Sequence, residues 1–345
     1  MIRLNRRSTL TGMAAAMATR PARSQAKLIP CATQLGWLRN GEFAALMVAD
    51  AKGFFAEEGI AHRILDGGPG KNPVPIVAVG QAQFGLATSG LHLLAARTAR
   101  DPVDVIAVGT TYQIAASSLI RLANPGDPAP VPKDLEGKIV GIQAGSEYLV
   151  TALARKNGVD ESKIKVVVVQ ANAEPLMTGR IDYFSGWITN QTYQIETEAA
   201  KPEAGPLLKG KTWQALRFAD WGLAAYADTI FCTAQTAKEN PELVRGYLRA
   251  VSKAVSFILA NPDEALKIVA AYQGQIEPAE KLAWRWRVQN PLYISPDAEK
   301  NGPLWMDTAT WDANGQFLLE TGQVPRLVTS AEIMTTAFLP KPAAG

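Results

Sequence analysis

Residues 28–70 read LIPCATQLGWLRNGEFAALMVADAKGFFAEEGIAHRILDGGPG. Leu28–Leu35 is short and apolar, a strand. Phe43–Glu58 places Phe43, Leu46, Met47, Phe54 and Phe55 near helical spacing, and Gly59 is the C-terminal stop. Ala61–Leu65 is a second strand, and Gly67-Gly68-Pro69-Gly70 is a turn. Asn72-Pro73 then starts a helix, with Asn as N-cap and Pro at the first helical position. Strand, helix, strand, turn and helix in that order dictate a parallel pair with a crossover, the unit of an α/β sheet.

The same alternation runs outward from this stretch. Gln83–Ala87 is a third strand, Ser89 caps a helix over Leu91–Arg100, and Val103–Gly109 is a fourth strand. A second series follows: strand Lys138–Gln143, a helix opening at Gly145-Ser146, strand Lys163–Gln170 with four consecutive valines and therefore buried, a short helix Glu174–Thr178 and strand Ile181–Trp187. Ser117–Leu122 and Thr229–Thr233 flank this series and are expected to pair as two crossings between lobes. The expected division is 27–115 with 232–345 as the first lobe and 116–231 as the second. The last third is helical, with Asn240-Pro241 and Asn261-Pro262 as helix starts.

The chain has 345 residues, enough for two lobes, and is 47% hydrophobic and 19% charged, values that exclude disorder as its main state. Its net charge of +3 conceals an uneven distribution. Residues 1–26 carry Arg3, Arg6, Arg7, Arg20 and Arg23 and no acid, which leaves 30 basic and 32 acidic residues for the remainder. A near-neutral body gives no long-range field for nucleic acid. The basic start, the mildly apolar stretch Ser8–Thr19 and the small residues ending at Ala26 have the layout of an export signal, and Asn5-Arg6-Arg7-Ser8-Thr9-Leu10 resembles a twin-arginine one. Periplasmic location with cleavage near Ala26 is the expectation.

Two cysteines, Cys31 and Cys232, exclude a disulfide scaffold and a multi-cysteine metal site, and two histidines, His62 and His92, offer little to a metal. His62 lies inside a strand, as structural histidines do, whereas His92 opens a helix near Ser89. There is no nucleophile elbow, phosphate-binding P-loop or zinc-protease motif, so no catalytic residue is assigned. In a parallel α/β sheet, ligands sit beyond the carboxyl ends of strands. The residues found there are Trp37, Asn40 and Glu42; Gly67, Gly68 and on to Gly70; Thr88 and Ser89; Thr111 and Tyr112; Gln143 to Tyr148, with Ser146, Glu147 and Tyr148; and Trp187 to Gln191, with Asn190. Aromatics, amides, hydroxyls and carboxylates dominate this set, and Arg39 is its one cation.

The ordered stretches LGWLRNGEFAALMVADAKGFFAEEG (35–59), GGPGKNPVPIVAVGQAQFG (67–85), KDLEGKIVG (133–141), GRID (179–182) and NPELVRGYLRA (240–250) resemble the periplasmic solute-binding proteins of ABC importers. The resemblance is to the group that includes binders of thiamine pyrimidine precursors, alkanesulfonates and nitrate. It implies a type II two-lobed α/β fold, with two mainly parallel sheets flanked by helices and joined by two hinge strands. It also implies a small-molecule ligand held between the lobes, ABC permease transmembrane subunits as partners, a monomeric state and no cofactor. Carried over by position, the family site falls on Trp37, Gly67-Gly68, Thr88, Ser89, Ser146 and its neighbours, and Trp187 to Asn190, with Asp228 beside the return crossing. A related fungal pyrimidine synthase has a cysteine-rich signature that is missing around Cys31 and Cys232, so binding without catalysis is expected. The scarcity of cations favours a nitrogen heterocycle such as a thiamine pyrimidine precursor. The alternatives are an alkanesulfonate or nitrate-type anion, or a cofactor-biosynthesis enzyme on the same fold.

Overall fold

The computed structural model describes residues 28–68 and 71–341. The expected export segment lies outside the described residues, as do Pro69 and Gly70 of the glycine turn. Strands β1 (Ile29–Leu35), β2 (Ile60–Leu65), β3 (Phe84–Ala87) and β4 (Val105–Tyr112) enter one five-stranded sheet. Strands β5 (Ser117–Ala123), β6 (Ile139–Ile142), β7 (Lys165–Val168), β8 (Tyr183–Trp187) and β9 (Thr212–Arg217) form another. The chain then returns to the first sheet as β10 (Ala227–Thr233). The strand orders are β2-β1-β3-β10-β4 and β7-β6-β8-β5-β9. In both sheets the first three strands are parallel and the fourth is antiparallel to its neighbours. The antiparallel strand is each time the one that has just crossed from the other lobe.

That topology corrects one expectation. The two crossing segments do not pair with each other: Ser117–Ala123 bonds to β8 and β9 in the second sheet, and Ala227–Thr233 to β3 and β4 in the first. The return therefore precedes Ala227, ahead of the boundary at 232. The valine-rich strand is likewise not buried. As β7 it is the edge of the second sheet, and Val168 is 58% exposed, because nothing pairs with or covers its outer side. The expected helix 43–58 is broken into a 3-10 turn Gly41–Phe43, a helix Ala44–Ala51 and a turn Phe54–Glu57. Gly53, at φ 73°, is the break, a left-handed backbone that glycine adopts without a Cβ penalty.

Asn72 and Ser89 cap as the sequence indicates, whereas Asn240 and Asn261 stand at the starts of their helices, each ahead of a proline, without a side-chain capping bond. Asn72 accepts from Val74 N at 2.9 Å ahead of Pro73, and Ser89 Oγ accepts from Leu91 N at 3.3 Å. The 20-residue helix Pro241–Ala260 buries one face on the first sheet. Its Tyr247 ring stacks on Phe84 at 3.8 Å and its hydroxyl bonds Thr33 at 2.8 Å, and the same Thr33 hydroxyl bonds His62 at 2.9 Å. His62 also stacks on Phe55, and burial pushes its imidazole down to about 3, so it is a neutral core residue. Cys31 and Cys232 are buried free thiols.

Candidate functional site

The carboxyl ends of the parallel strands face one another across the gap between the lobes. Two connected compartments of about 220 Å³ each lie there, sharing Thr88, Gln143, Gly186 and Trp187 as walls. The first is lined by Trp37, Glu42 and Thr88 from one lobe and Trp187, Thr189 and Asn190 from the other. The second is lined by Ser89, His92, Ser117, Ser146, Tyr148 and Tyr226, among others. A larger groove of about 720 Å³ adjoins the second compartment, sharing Leu223 with it, and runs past Arg155, Lys156 and Asp307; the rings of Tyr148, in the compartment wall, and Phe317, in the groove wall, lie 5.8 Å apart. The groove is larger, but its walls carry none of the strand-end residues.

Trp37 is held from behind. A Cβ built on Gly67 would lie 2.4 Å from Leu35 O and 2.5 Å from Trp37 N and O, so only glycine lets the turn after β2 press against the turn that carries Trp37. Trp187 is fixed by Gln191, whose side-chain oxygen accepts from Trp187 N at 2.9 Å. Asn40 accepts from Glu42 N at 2.8 Å, and Gly41 is tied by Glu277 at 3.0 Å and Gln289 at 2.8 Å. These bonds set Glu42 into the first compartment with its residue only 6% exposed.

Behind Glu42 lies a buried set of charged and polar groups. Asp228 is fully buried on β10 with φ 51°, and neither carboxyl oxygen receives a protein N–H or O–H. Burial, and then the charge of Glu42, hold the Asp228 carboxyl well above its usual range, and burial raises Glu42 as well. The two carboxyls are in contact and titrate as a pair, both displaced upward. Arg285, 1% exposed in its side chain, grips Glu277 with two bonds of 2.7 Å while its charge bears on Glu42 and Tyr112. Burial alone would raise Glu277, but Arg285 overcomes that and holds it below its ordinary value.

The lobes also bond directly to each other, one contact being at the wall of the first compartment. Glu196 of the second lobe accepts from the indole N–H of Trp213 at 2.7 Å and from that of Trp284, in the first lobe, at 2.9 Å. Lys281 of the first lobe donates to Asn190 at 2.9 Å and pairs with Glu277 at 3.3 Å.

Of the sequence-derived residues, Trp37, Glu42, Thr88, Trp187 and Asn190 share the first compartment, and Thr88, Ser89, Ser146, Tyr148 and Trp187 the second. Asn40 acts on Glu42 rather than on the cavity, and Tyr112 and Asp228 are fully buried beside it. Gly67, Gly68 and Glu147 line neither compartment. Gly67 buttresses Trp37, and Glu147 is the N-cap residue of helix Tyr148–Lys156. Arg39 is not a cleft cation: it is spent on Asp66 at 2.7 Å and on the carbonyls of Ile64 and Gln273. Among the described residues, no lysine or arginine lines either compartment. Sequence reading missed Glu277, Lys281 and Arg285, which reach the site from the C-terminal helices. Thr189, inside the expected span Trp187 to Asn190, lines the first compartment, and its buried hydroxyl has no partner among the described residues.

The chain belongs to the NMT1/THI5 like family, which matches residues 40–265. It is 26% identical over 315 residues to a 4-amino-5-hydroxymethyl-2-methylpyrimidine phosphate synthase of Legionella pneumophila, covering 89% of this chain and 91% of that protein. It is 25% identical over 342 residues to the riboflavin-binding protein RibY of Chloroflexus aurantiacus, covering 96% and 92%. The fold matches the periplasmic aliphatic sulphonate binding protein SsuA from Escherichia coli with a TM-score of 0.65 at 17% identity, over 92% of this chain and 94% of that one. The architecture is thus the two-lobed periplasmic-binding-protein fold. The synthase among these relatives overturns the expectation that catalysis is foreign to this chain, since the family holds enzymes as well as binding proteins. No helix among the described residues is long and apolar enough to cross a membrane.

Proposed function

We propose that the protein captures a small nitrogen heterocycle, of the kind represented by a thiamine pyrimidine precursor, between its lobes and delivers it from the periplasm to an ABC permease, acting as a monomer. The observation that carries this reading is the composition of the first compartment: two tryptophans, one from each lobe, a buried Glu42 and no cation among its described lining residues. Tryptophan faces suit a flat ring, and a carboxylate accepts paired N–H donors from an aminopyrimidine edge. A sulfonate or nitrate would meet Glu42 instead of an arginine, at a cost in uncompensated charge. A ligand touching both lobes favours the closed arrangement through contacts that exist only there.

Calorimetry with 4-amino-5-hydroxymethyl-2-methylpyrimidine, methanesulfonate and nitrate tests the reading. Heat from the pyrimidine alone, lost in Trp37→Ala, supports it, and sulfonate binding without pyrimidine heat refutes it. A second reading, chemistry on the captured ring, is favoured by the synthase relative. Mass spectrometry of the ligand recovered after incubation separates the two, since a carrier returns it unchanged.

A further inference from the structure

The second compartment differs in chemistry from the first. Its polar lining consists of hydroxyls, the imidazole of His92 and the amide of Gln143, and it is uncharged. Thr88, Ser117, Ser146, Tyr148 and His92 all line this space. Two helices begin at its edge, Leu91–Thr98 and Tyr148–Lys156, and several of their first-turn N–H groups are already engaged. Leu91 N is taken by Ser89 Oγ at 3.3 Å, His92 N by Ser89 O at 3.2 Å and Leu93 N by Gly90 O at 3.0 Å. Leu149 N is taken by Ser146 O at 3.0 Å and Val150 N by Glu147 O at 3.1 Å, and Glu147 itself puts a carboxylate at that helix start. Arg155 and Lys156 line the larger adjoining groove and not this compartment, and Arg155 is paired with Glu161 at 2.7 Å.

A phosphate here would find no cation among the described lining residues and would meet the Glu147 carboxylate at the helix start. An apolar group would strand several polar groups away from water when the lobes close. Alcohol groups, each both donor and acceptor, match a wall of hydroxyls, imidazole and amide. Resting on the heterocycle reading above, we infer that the second compartment receives an uncharged, polyhydroxylated substituent of the ring held in the first. The ligand is then a ring with a sugar-like tail, and neither the bare base nor its phosphate ester is the best fit.

Two matched series test this by calorimetry on the purified protein: lumichrome, riboflavin and flavin mononucleotide; and cytosine, cytidine and cytidine monophosphate. The expected result is that, in a series that binds, the neutral tailed member exceeds the bare ring about tenfold or more and also exceeds the phosphate ester. Ser146→Ala and Ser117→Ala each weaken that member about fivefold and leave the bare ring unchanged. A bare ring or a phosphate ester that binds as tightly as the tailed member overturns the inference, as does indifference to both serine changes. In that case binding of the bare ring that still depends on Trp37 leaves the heterocycle reading standing. If no ring of either series binds, that reading falls, and the inference falls with it.

Discussion

Gly67→Ala puts a single methyl group where the structure leaves no room. The added carbon would stand 2.4 Å from Leu35 O and 2.5 Å from both Trp37 N and Trp37 O, all of them backbone atoms that cannot rotate away. Restoring ordinary contact requires the two turns to separate by about 1 Å. Overpacking of this kind costs about 1–3 kcal/mol of stability. The turn that moves carries Trp37, and a gap of ~0.5–1 Å forfeits a quarter to a half of a dispersion contact. Stacking against a ring contributes about 0.5–1.5 kcal/mol beyond area burial, and losing a quarter to a half of it is about 0.1–0.75 kcal/mol, so affinity for a ring ligand should fall by up to about 3-fold. Equilibrium urea unfolding and calorimetry on one preparation read both effects, with Gly205→Ala, which meets nothing within 4 Å, as the control. Unchanged stability would show that the turns are not in the contact described. Lost stability with unchanged affinity would show that Gly67 supports the fold without positioning Trp37 for a ligand.

Asp228→Asn should flatten the pH dependence of stability. In the wild type the folded state keeps a proton that the unfolded chain releases in the ordinary carboxylate range, so stability falls as pH rises above that range, and urea midpoints at pH 5 and 8 should converge in the variant. Arg285→Met strands Glu277 in the interior and should cost about 3–5 kcal/mol in urea unfolding, and a loss under about 1 kcal/mol would mean that the pair is not buried as described. Glu196→Ala removes the acceptor shared by Trp213 and Trp284. Small-angle scattering of the ligand-free variant should show a larger radius of gyration than wild type, and an unchanged radius would mean that this clasp does not hold the lobes together.

What the sequence discloses and what it hides divide along the range of the interactions. Strand ends, the Asn72-Pro73 helix start and the glycine stops are local events, so β1, β2, β3 and the positions of Trp37, Glu42, Trp187 and Asn190 follow from short stretches of chain. Four adjacent valines read as a buried strand, yet burial depends on which neighbours a strand acquires, and β7 acquires only β6. The two crossing strands read as partners because each is extended and apolar, but pairing is decided across the sheet, where β5 has β8 and β9 and β10 has β3 and β4. Arg39 beside Trp37 reads as a cleft cation until Asp66 and two carbonyls claim it. Arg285 is the extreme case. Set in the run AEKLAWRWRVQ, it reads as one of several charges on a surface helix, but it is sealed against Glu277 beneath Glu42, with more than 200 positions of sequence between it and that carboxylate. Nothing in its local pattern separates it from Arg287 two positions on, because what distinguishes them is the acid each one meets, and Glu42 reaches Arg285 only once the first lobe has closed on its own C-terminal helices. The electrostatic character of the cleft is therefore a property of the assembled lobe, even though the residues that line it can be found one strand end at a time.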